Sequence, residues 1–236
     1  MTLSETYFHP TNIHGDVIRL PSHRALQWLV DPSYERERIR TMKQVIQPDH
    51  VVFDIGAEQG DISALIASWV PDGGMVLVEP NPRVWPCIKA TFNENALKTP
   101  KYWFRGFCGS SGETNRHTDT AWPIESVGTI QPAAGFLSLV EDTAPVTTLD
   151  HLVSSSGQAP NVITIDVEGG EVEVLLGAGQ TLNDYRPEVF VSVHPSFLRG
   201  FGKTMHDVFV VFEQHEYRWS VLESDHEIHV WATPRR

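Results

Sequence analysis

Hydrophobic residues are arranged along the chain in two ways: in short, mostly apolar runs, and at spacings of three and four residues. The mostly apolar runs fall at 51–55, 75–78, 102–107, 162–165 and 189–193. Runs of this length are typical of strands that are buried on both faces of a sheet. Between and after them, the spacing i, i+3, i+4, i+7 predicts helices with one buried face, at 62–69, 172–179 and 205–212. This alternation predicts an α/β fold with a doubly wound, mostly parallel sheet.

The C-terminal end departs from the alternation. Hydrophobic runs at 217–222 and 228–232 flank the polar turn 223–226, which predicts an antiparallel hairpin. Such a hairpin is not expected of a purely parallel dinucleotide-binding sheet.

The N-terminal end has a mixed composition up to about residue 47. One helical face is predicted there from Ile39, Met42, Val45 and Ile46. We therefore divide the chain into a partly helical N-terminal extension, 1–47, and a domain over 48–236. We expect the extension to cover a pocket or to dock on the domain.

A long insert, 109–146, is rich in Gly, Ser, Thr and Pro, and a hairpin is predicted within it at 136–140. Long irregular inserts in compact domains are often functional. Four aromatic residues of the extension and the insert are candidates for lining an apolar or sugar-stacking pocket: Tyr7, Trp28, Tyr34 and Trp122.

Composition narrows the class of protein. With 236 residues, of which 41% are hydrophobic and 20% charged, the chain has enough apolar surface for a globular core. The net charge of −12 opposes binding to nucleic acid. Two cysteines, no signal-like start and no run of roughly 20 apolar residues predict a soluble, cytoplasmic protein that does not enter a membrane. Self-association is compatible with this composition.

The first chemical motif is the loop 54–60, which follows a predicted strand and opens a predicted helix. Its glycines, Gly56 and Gly60, allow a tight turn and close approach of a ligand to the backbone. A dinucleotide pyrophosphate is expected to need a third glycine, which this loop lacks. Asp54, at the end of the strand, suits a cationic group such as the amino group of a methionine moiety. The alternative is a plain turn between strand and helix.

Glu79 ends the second predicted strand, 25 residues after Asp54. A carboxylate at that place can accept hydrogen bonds from both hydroxyls of a ribose. The alternative is a solvated acid ahead of Pro80. Together with the loop, this spacing favours a nucleoside ligand.

Further polar residues follow the fourth and fifth predicted strands. Asp166 and Glu168 are predicted to face the ligand cleft, because ligands of open α/β sheets bind beyond the carboxyl ends of the strands. We interpret Glu171 as an acid that stabilises a helix N-terminus. His194 follows the next strand, where an imidazole can take a hydroxyl proton; a structural histidine is an equal alternative.

These motifs resemble those of the FkbM family of methyltransferases. The resemblance rests on residues 52–57, 78–82 and 165–171, with 147–150 and 193–194 as further signatures, and it covers about 48–194. It implies a class I methyltransferase fold, S-adenosylmethionine as donor, S-adenosylhomocysteine as product, and methylation of a hydroxyl on a sugar, polyketide or other small molecule. The donor-binding candidates are Asp54, Gly56, Ala57, Glu58, Gly60, Glu79, Pro80, Asn81, Cys108 and Asp166.

Two positions depart from the family pattern. Glu58 stands where the family commonly has Asn, which adds a negative charge beside the donor site. Thr164 stands where the family commonly has Lys, which we expect to alter substrate handling.

For proton removal the catalytic candidates are His194, or Asp166 with Glu168. A divalent metal is an open subsidiary hypothesis. Two rival functions are a catalytically inactive cofactor-binding partner protein, favoured by Glu58, and a nicotinamide-dependent oxidoreductase, disfavoured by the missing glycine.

Overall fold

A computed structural model describes residues 7–112, 144–225 and 227–235. Their strands and helices follow in this order: β1 (Phe8–Ile13), β2 (Asp16–Pro21), α1 (Ser22–Val30), α2 (Arg36–Val45), β3 (Val51–Ile55), α3 (Asp61–Trp69), β4 (Gly74–Val78), α4 (Trp85–Glu94), β5 (Tyr102–Phe104), β6 (Phe107–Cys108), β7 (Val146–Thr147), α5 (Leu149–Ser156), β8 (Val162–Ile165), α6 (Glu171–Leu176), α7 (Gly179–Asp184), β9 (Glu188–Val193), α8 (Pro195–Leu198), a 3₁₀ turn (Arg199–Phe201), α9 (Met205–Gln214), β10 (Tyr217–Ser224) and β11 (Ile228–Pro234). The hairpin predicted at 136–140 lies outside the described residues.

The central sheet has seven strands in the order β10-β11-β9-β8-β3-β4-β5. Neighbours from β5 to β9 are parallel, whereas β11 is antiparallel to both β9 and β10. The predicted doubly wound sheet with a C-terminal antiparallel hairpin is confirmed. The strand order reverses direction at β3, between β4 and β8, which is where such sheets bind ligands.

Alternate residues of the strands enter two separate hydrophobic cores. In β4, Val76 and Val78 join one core, which α5–α7 and α9 complete. Met75 and Leu77 join the other core, on the opposite face of the sheet. Burial on both faces explains why the parallel strands have no polar alternation.

The N-terminal segment, defined here as residues 8–45, packs on the second core. The predicted helical face is confirmed: Ile39 and Met42 of α2 and Ile46 just after it are buried in this core, and Val45 is partly buried against it. The hairpin β1–β2 and helix α1 had not been predicted. The turn between β1 and β2 is made by His14 and Gly15, both of which have positive φ.

Two predicted elements are divided in the structure. The strand expected at 102–107 ends at Phe104, and β6 pairs instead with β7 in a separate two-stranded sheet. The helix expected at 172–179 breaks at Gly177, where a Cβ would lie 2.1 Å from the carbonyl oxygen of Gly109. Both cysteines, Cys87 and Cys108, are free thiols, as expected. Among the described residues, no helix has the length and apolar character to cross a bilayer.

Candidate functional site

A cavity of about 430 Å³ lies at the carboxyl ends of β3, β4, β8 and β9. Its volume is within the range of about 300–1,000 Å³ that ligand pockets commonly have. Eight of the predicted site residues line it: Asp54, Gly56, Ala57, Glu58, Glu79, Asp166, Glu168 and His194. The remaining four, Gly60, Pro80, Asn81 and Cys108, do not belong to the described lining. The structure thus gathers residues from four separate sequence motifs around one space.

The glycine loop owes its shape to Gly56. This residue has φ +92°, and a Cβ there would lie 1.8 Å from the carbonyl oxygen of Asp166. Only glycine therefore lets the end of β3 pass so close to the end of β8. Glu58 also has positive φ, at 46°, although it carries a side chain.

Glu79 is fixed by backbone groups on both of its oxygens. The N–H of Glu58 donates to Oε2 at 2.9 Å, and the N–H of Asn81 donates to Oε1 at 2.7 Å. The residue is fully buried, and burial raises the pKa of its carboxyl to about 8 although these hydrogen bonds act in the opposite direction. Asn81, outside the lining, thus contributes through its backbone to the orientation of Glu79.

Asp54 lies at the base of the cavity and is also buried. Burial raises its pKa to about 6, against the lowering effect of a hydrogen bond from the Ser63 hydroxyl and of the nearby Arg38 guanidinium. A cationic ligand group would therefore stabilise the ionised form of Asp54.

His194 is held between three carboxylates. Its Nδ1 is 2.7 Å from Oε1 of Glu171, and its Nε2 is 3.3 Å from Oε1 of Glu227 and 3.7 Å from Oδ1 of Asp166. Burial alone would lower the pKa of His194, but the hydrogen bonds to Glu171 and Glu227 raise it to about 10. The imidazole is therefore protonated at neutral pH. Burial would raise the pKa of Glu227, but its hydrogen bond to His194 and the nearby positive charges of His194 and Arg38 together lower it to about 2.

The same cluster has the composition of a metal site. Ligand atoms of Asp166, His194 and Glu227 lie within 4.8 Å of one another. A divalent cation would compete there with two positive charges, the protonated His194 and Arg38, whose Nη1 is 3.3 Å from Oδ2 of Asp166.

Two residues of this cluster were not identified from the sequence as part of the site. Glu171 had been interpreted as a helix N-terminal acid, but it is fully buried and its Oε1 accepts from the Gly169 N–H as well as contacting His194. Glu227 immediately precedes β11. Because β11 runs antiparallel to β9, with Ile228 opposite Val193, its start lies beside His194. The predicted hairpin therefore contained the signal for Glu227.

Both arginines of the described lining come from the N-terminal segment, and each contacts one of the two positions that depart from the family pattern. The Arg24 guanidinium donates to both oxygens of Glu58, at 2.9 and 2.8 Å. Arg38 is buried, and its Nη2 donates to Oγ1 of Thr164 at 2.8 Å. The extra negative charge expected from Glu58 is therefore paired.

The aromatic candidates separate in the structure. Trp28 and Tyr34 line the cavity and contact each other edge to face, with ring centroids 5.2 Å apart. Tyr7 is 66% exposed and does not belong to the described lining. Trp122 lies outside the described residues.

Comparison with known proteins agrees with this geometry. Residues 54–219 match the profile of the methyltransferase FkbM domain. The hexuronic acid methyltransferase AglP of Haloferax volcanii is 28% identical over 173 residues, which cover 68% of this chain and 64% of that protein. The chain thus spans a little less than two thirds of this curated relative.

Solved structures show the fold. A methyltransferase FkbM from Methylobacillus flagellatus superposes with a TM-score of 0.53 and 13% identity, over 79% of this chain and 44% of that one. The fibrillarin pre-rRNA processing protein of Methanococcus jannaschii also gives 0.53, with 11% identity, over 99% and 84% of the two chains. The architecture is that of class I, S-adenosylmethionine-dependent methyltransferases. Since the family profile covers most of the chain, including the loop, Glu79 and the Asp166 motif, this protein belongs to the FkbM family of methyltransferases.

Proposed function

We propose that this chain transfers a methyl group from S-adenosylmethionine to an oxygen of a small hydroxylated acceptor. The observation that carries the proposal is the convergence of three acids on one cavity at the topological switch of the sheet: Asp54 and Glu79, which are buried, and Asp166, which is partly buried. When bound, S-adenosylmethionine supplies an electrophilic methyl group on a positively charged sulfur.

The charge of the described lining fits such a donor. It contains eight carboxylates but only two arginines and one histidine, and all three of these cations contact carboxylates. This excess of carboxyl groups over cations favours a ligand with a sulfonium and an ammonium group, since a positive ligand stabilises the ionised form of nearby carboxylates. A pyrophosphate, as in a nicotinamide cofactor, would be repelled.

Each part of the donor has a suitable group in this site. Glu79 has both oxygens held at the cavity edge, where they would accept hydrogen bonds from the two ribose hydroxyls. Asp54 would hold the methionine ammonium. The backbone of the loop from Gly56 to Glu58 would support the donor, and Gly60, outside the described lining, would allow the turn into α3. We retain Pro80, Asn81 and Cys108 as neighbours of the nucleoside end.

Proton removal falls to a carboxylate in this proposal. His194 is already protonated at neutral pH, so it orients Asp166 and holds it ionised rather than acting as the base. Burial raises the pKa of Asp166 and of Glu168, which makes each carboxylate a stronger base than in water. Asp166 is the base we favour, because Arg38 and His194 fix its two oxygens.

The acceptor we propose is a sugar or a sugar-like natural product. Trp28 and Tyr34 offer aromatic surface in the same cavity as Asp166, and carbohydrates commonly stack on such rings. The relative named for hexuronic acid supports the same class. The acidic cavity and the net charge of −12 argue against a nucleic acid acceptor.

The test is transfer of a labelled methyl group from S-adenosylmethionine to three acceptor sets: neutral sugars, hexuronic acids and short RNAs. We expect label on a sugar oxygen, located by mass spectrometry, and loss of transfer in Asp166→Asn. Label on RNA alone would overturn the proposed acceptor. Donor binding without any transfer would support the inactive partner protein instead.

A further inference from the structure

Helix α1 contacts the glycine loop and the first residue of α3 through three side chains. His23 Nε2 lies 2.6 Å from Oε1 of Gln59. Arg24 donates to Glu58, and its Nη2 also donates to both carboxylate oxygens of Asp61 at 2.9 Å. Trp28 Nε1 donates to Oδ2 of Asp61 at 3.0 Å. The side chains of Glu58, Gln59 and Asp61 are thus all held by one short helix.

Arg24 is the central member of this contact. Its side chain is only 11% exposed, and that of Asp61 only 4%, so their ion pair is shielded from water. Glu58 is half exposed and extends the pair into a fork, with one guanidinium shared by two carboxylates. All of α1 precedes residue 54, where the family profile begins, so this contact joins a segment outside the matched range to the loop within it.

The contact continues to the ribose-binding carboxylate. The carboxylate of Glu58 accepts a hydrogen bond from Arg24, and the backbone N–H of the same residue donates to Oε2 of Glu79. Its φ of 46° is unusual for a residue with a side chain, and the two attachments keep it there. A short chain of bonds therefore runs from α1 through Glu58 to Glu79.

We infer that Arg24 is a positioning residue for the donor, which couples docking of α1 to donor binding through Glu58 and Glu79. This inference rests on the proposed function, since it takes the cavity to be the donor site. Coupling of two equilibria is reciprocal: if docked α1 strengthens donor binding, the bound donor strengthens docking of α1 by the same factor.

Calorimetric titration with S-adenosylhomocysteine tests the first direction. We expect Arg24→Met to weaken binding roughly tenfold, a typical size for such coupling. Arg24→Lys keeps the charge but cannot bridge the two carboxylates as the guanidinium does. The affinity of this variant for S-adenosylhomocysteine should therefore lie between those of the wild type and Arg24→Met. Arg19→Met is the matched control: Arg19 also ties the N-terminal segment to the body, through Glu94 at 2.6 Å, but neither residue lines the described cavity. Its affinity should equal that of the wild type.

Glu58→Gln offers a second, half-exposed site that is less prone to disturb folding. If Arg24 acts through Glu58, the two residues act as a unit, so the double variant Arg24→Met/Glu58→Gln should bind about as strongly as the weaker-binding of the two single variants. Full multiplication of the two effects would contradict a pathway through Glu58.

Hydrogen exchange tests the reciprocal direction, which a merely structural role would not affect. S-Adenosylhomocysteine should slow amide exchange across 22–30 in the wild type and in Arg19→Met, and not in Arg24→Met. Equal affinity in the wild type and Arg24→Met, or no effect of ligand on exchange in α1, would overturn the inference alone. Absence of binding to the wild-type chain would instead overturn the proposed function.

Discussion

The carboxyl edge of the sheet contributes mainly acids to the cavity, whereas the N-terminal segment contributes two arginines together with one acid, Glu35. The sheet edge supplies acids, among them Asp54, Glu79 and Asp166, whereas the segment supplies both arginines of the described lining, Arg24 and Arg38. The acids are fixed by local geometry, since Asp54 is the last residue but one of β3, and Glu79 and Asp166 directly follow β4 and β8. The arginines belong to α1 and α2, which pack on one face of the sheet, and their side chains extend to the cavity at the edge of the sheet.

This difference shows what the N-terminal segment does for the fold. Burying an uncompensated carboxylate is costly, and removing one partner of a buried ion pair destabilises proteins by about 3–5 kcal/mol. A sheet edge with this many acids is stable only with cations from elsewhere in the chain. The segment therefore stabilises the site as well as enclosing it.

The largest expected effect is on stability, from loss of Arg38. Arg38→Met leaves Glu35 and Asp166 without their buried cation, so we expect the free energy of unfolding to fall by about 3–5 kcal/mol. Arg40→Met on the same helix is the matched control, because the Arg40–Glu37 pair is exposed and should contribute about 1 kcal/mol or less. Urea unfolding measures both. Similar losses in the two variants would remove the distinction between the buried and the exposed arginine.

The next effect concerns the sheet edge itself. Glu79→Gln replaces a charged acceptor of hydrogen bonds, each worth about 1.5–3 kcal/mol, so we expect affinity for S-adenosylhomocysteine to fall by roughly 10- to 100-fold. Glu94→Gln, in the exposed pair with Arg19, is the control and should bind normally. Calorimetry measures the change. An unaltered affinity in Glu79→Gln would place the ribose elsewhere.

A smaller effect, also at Glu79, appears as a pH dependence. Burial raises the pKa of Glu79 to about 8, so below that pH the carboxyl must lose a proton before it accepts the ribose hydroxyls. Affinity for S-adenosylhomocysteine should therefore rise between pH 6 and 8, by up to about tenfold per pH unit, and level off above the pKa. The profile of Glu79→Gln should be flatter over the same interval. A wild-type affinity that falls as pH rises would contradict the assignment.

The two regions also differ in how far the sequence predicts them. Asp54, Glu79 and Asp166 could be placed because each lies at or just after the end of a hydrophobic run, which marks the carboxyl end of a strand, and parallel strands bring those ends together. Arg38 and Asp166 are separated by 128 positions, and no periodicity relates them. Their contact depends on how α2 packs on the sheet, which a local pattern does not encode.

The hairpin β1–β2 was missed for a different reason. Pro10 interrupts β1, and only alternate residues from Thr11 to Ile13 are buried, so no long hydrophobic pattern marks the strand. The local signal in the sequence was Gly15, because glycine readily adopts the positive φ that tight hairpin turns require. In the structure both His14 and Gly15 have positive φ. In β2, buried Ile18 and Leu20 alternate with exposed neighbours, which is the pattern of a half-buried strand.

The most direct test of the central claim is calorimetric titration of the whole chain with S-adenosylmethionine and, separately, with NAD. The acid-lined cavity should bind S-adenosylmethionine, with Glu79→Gln weakening that binding, and should not bind NAD. Binding of NAD, or binding of S-adenosylmethionine that is unchanged by Glu79→Gln, would contradict the assignment of this cavity as the donor site.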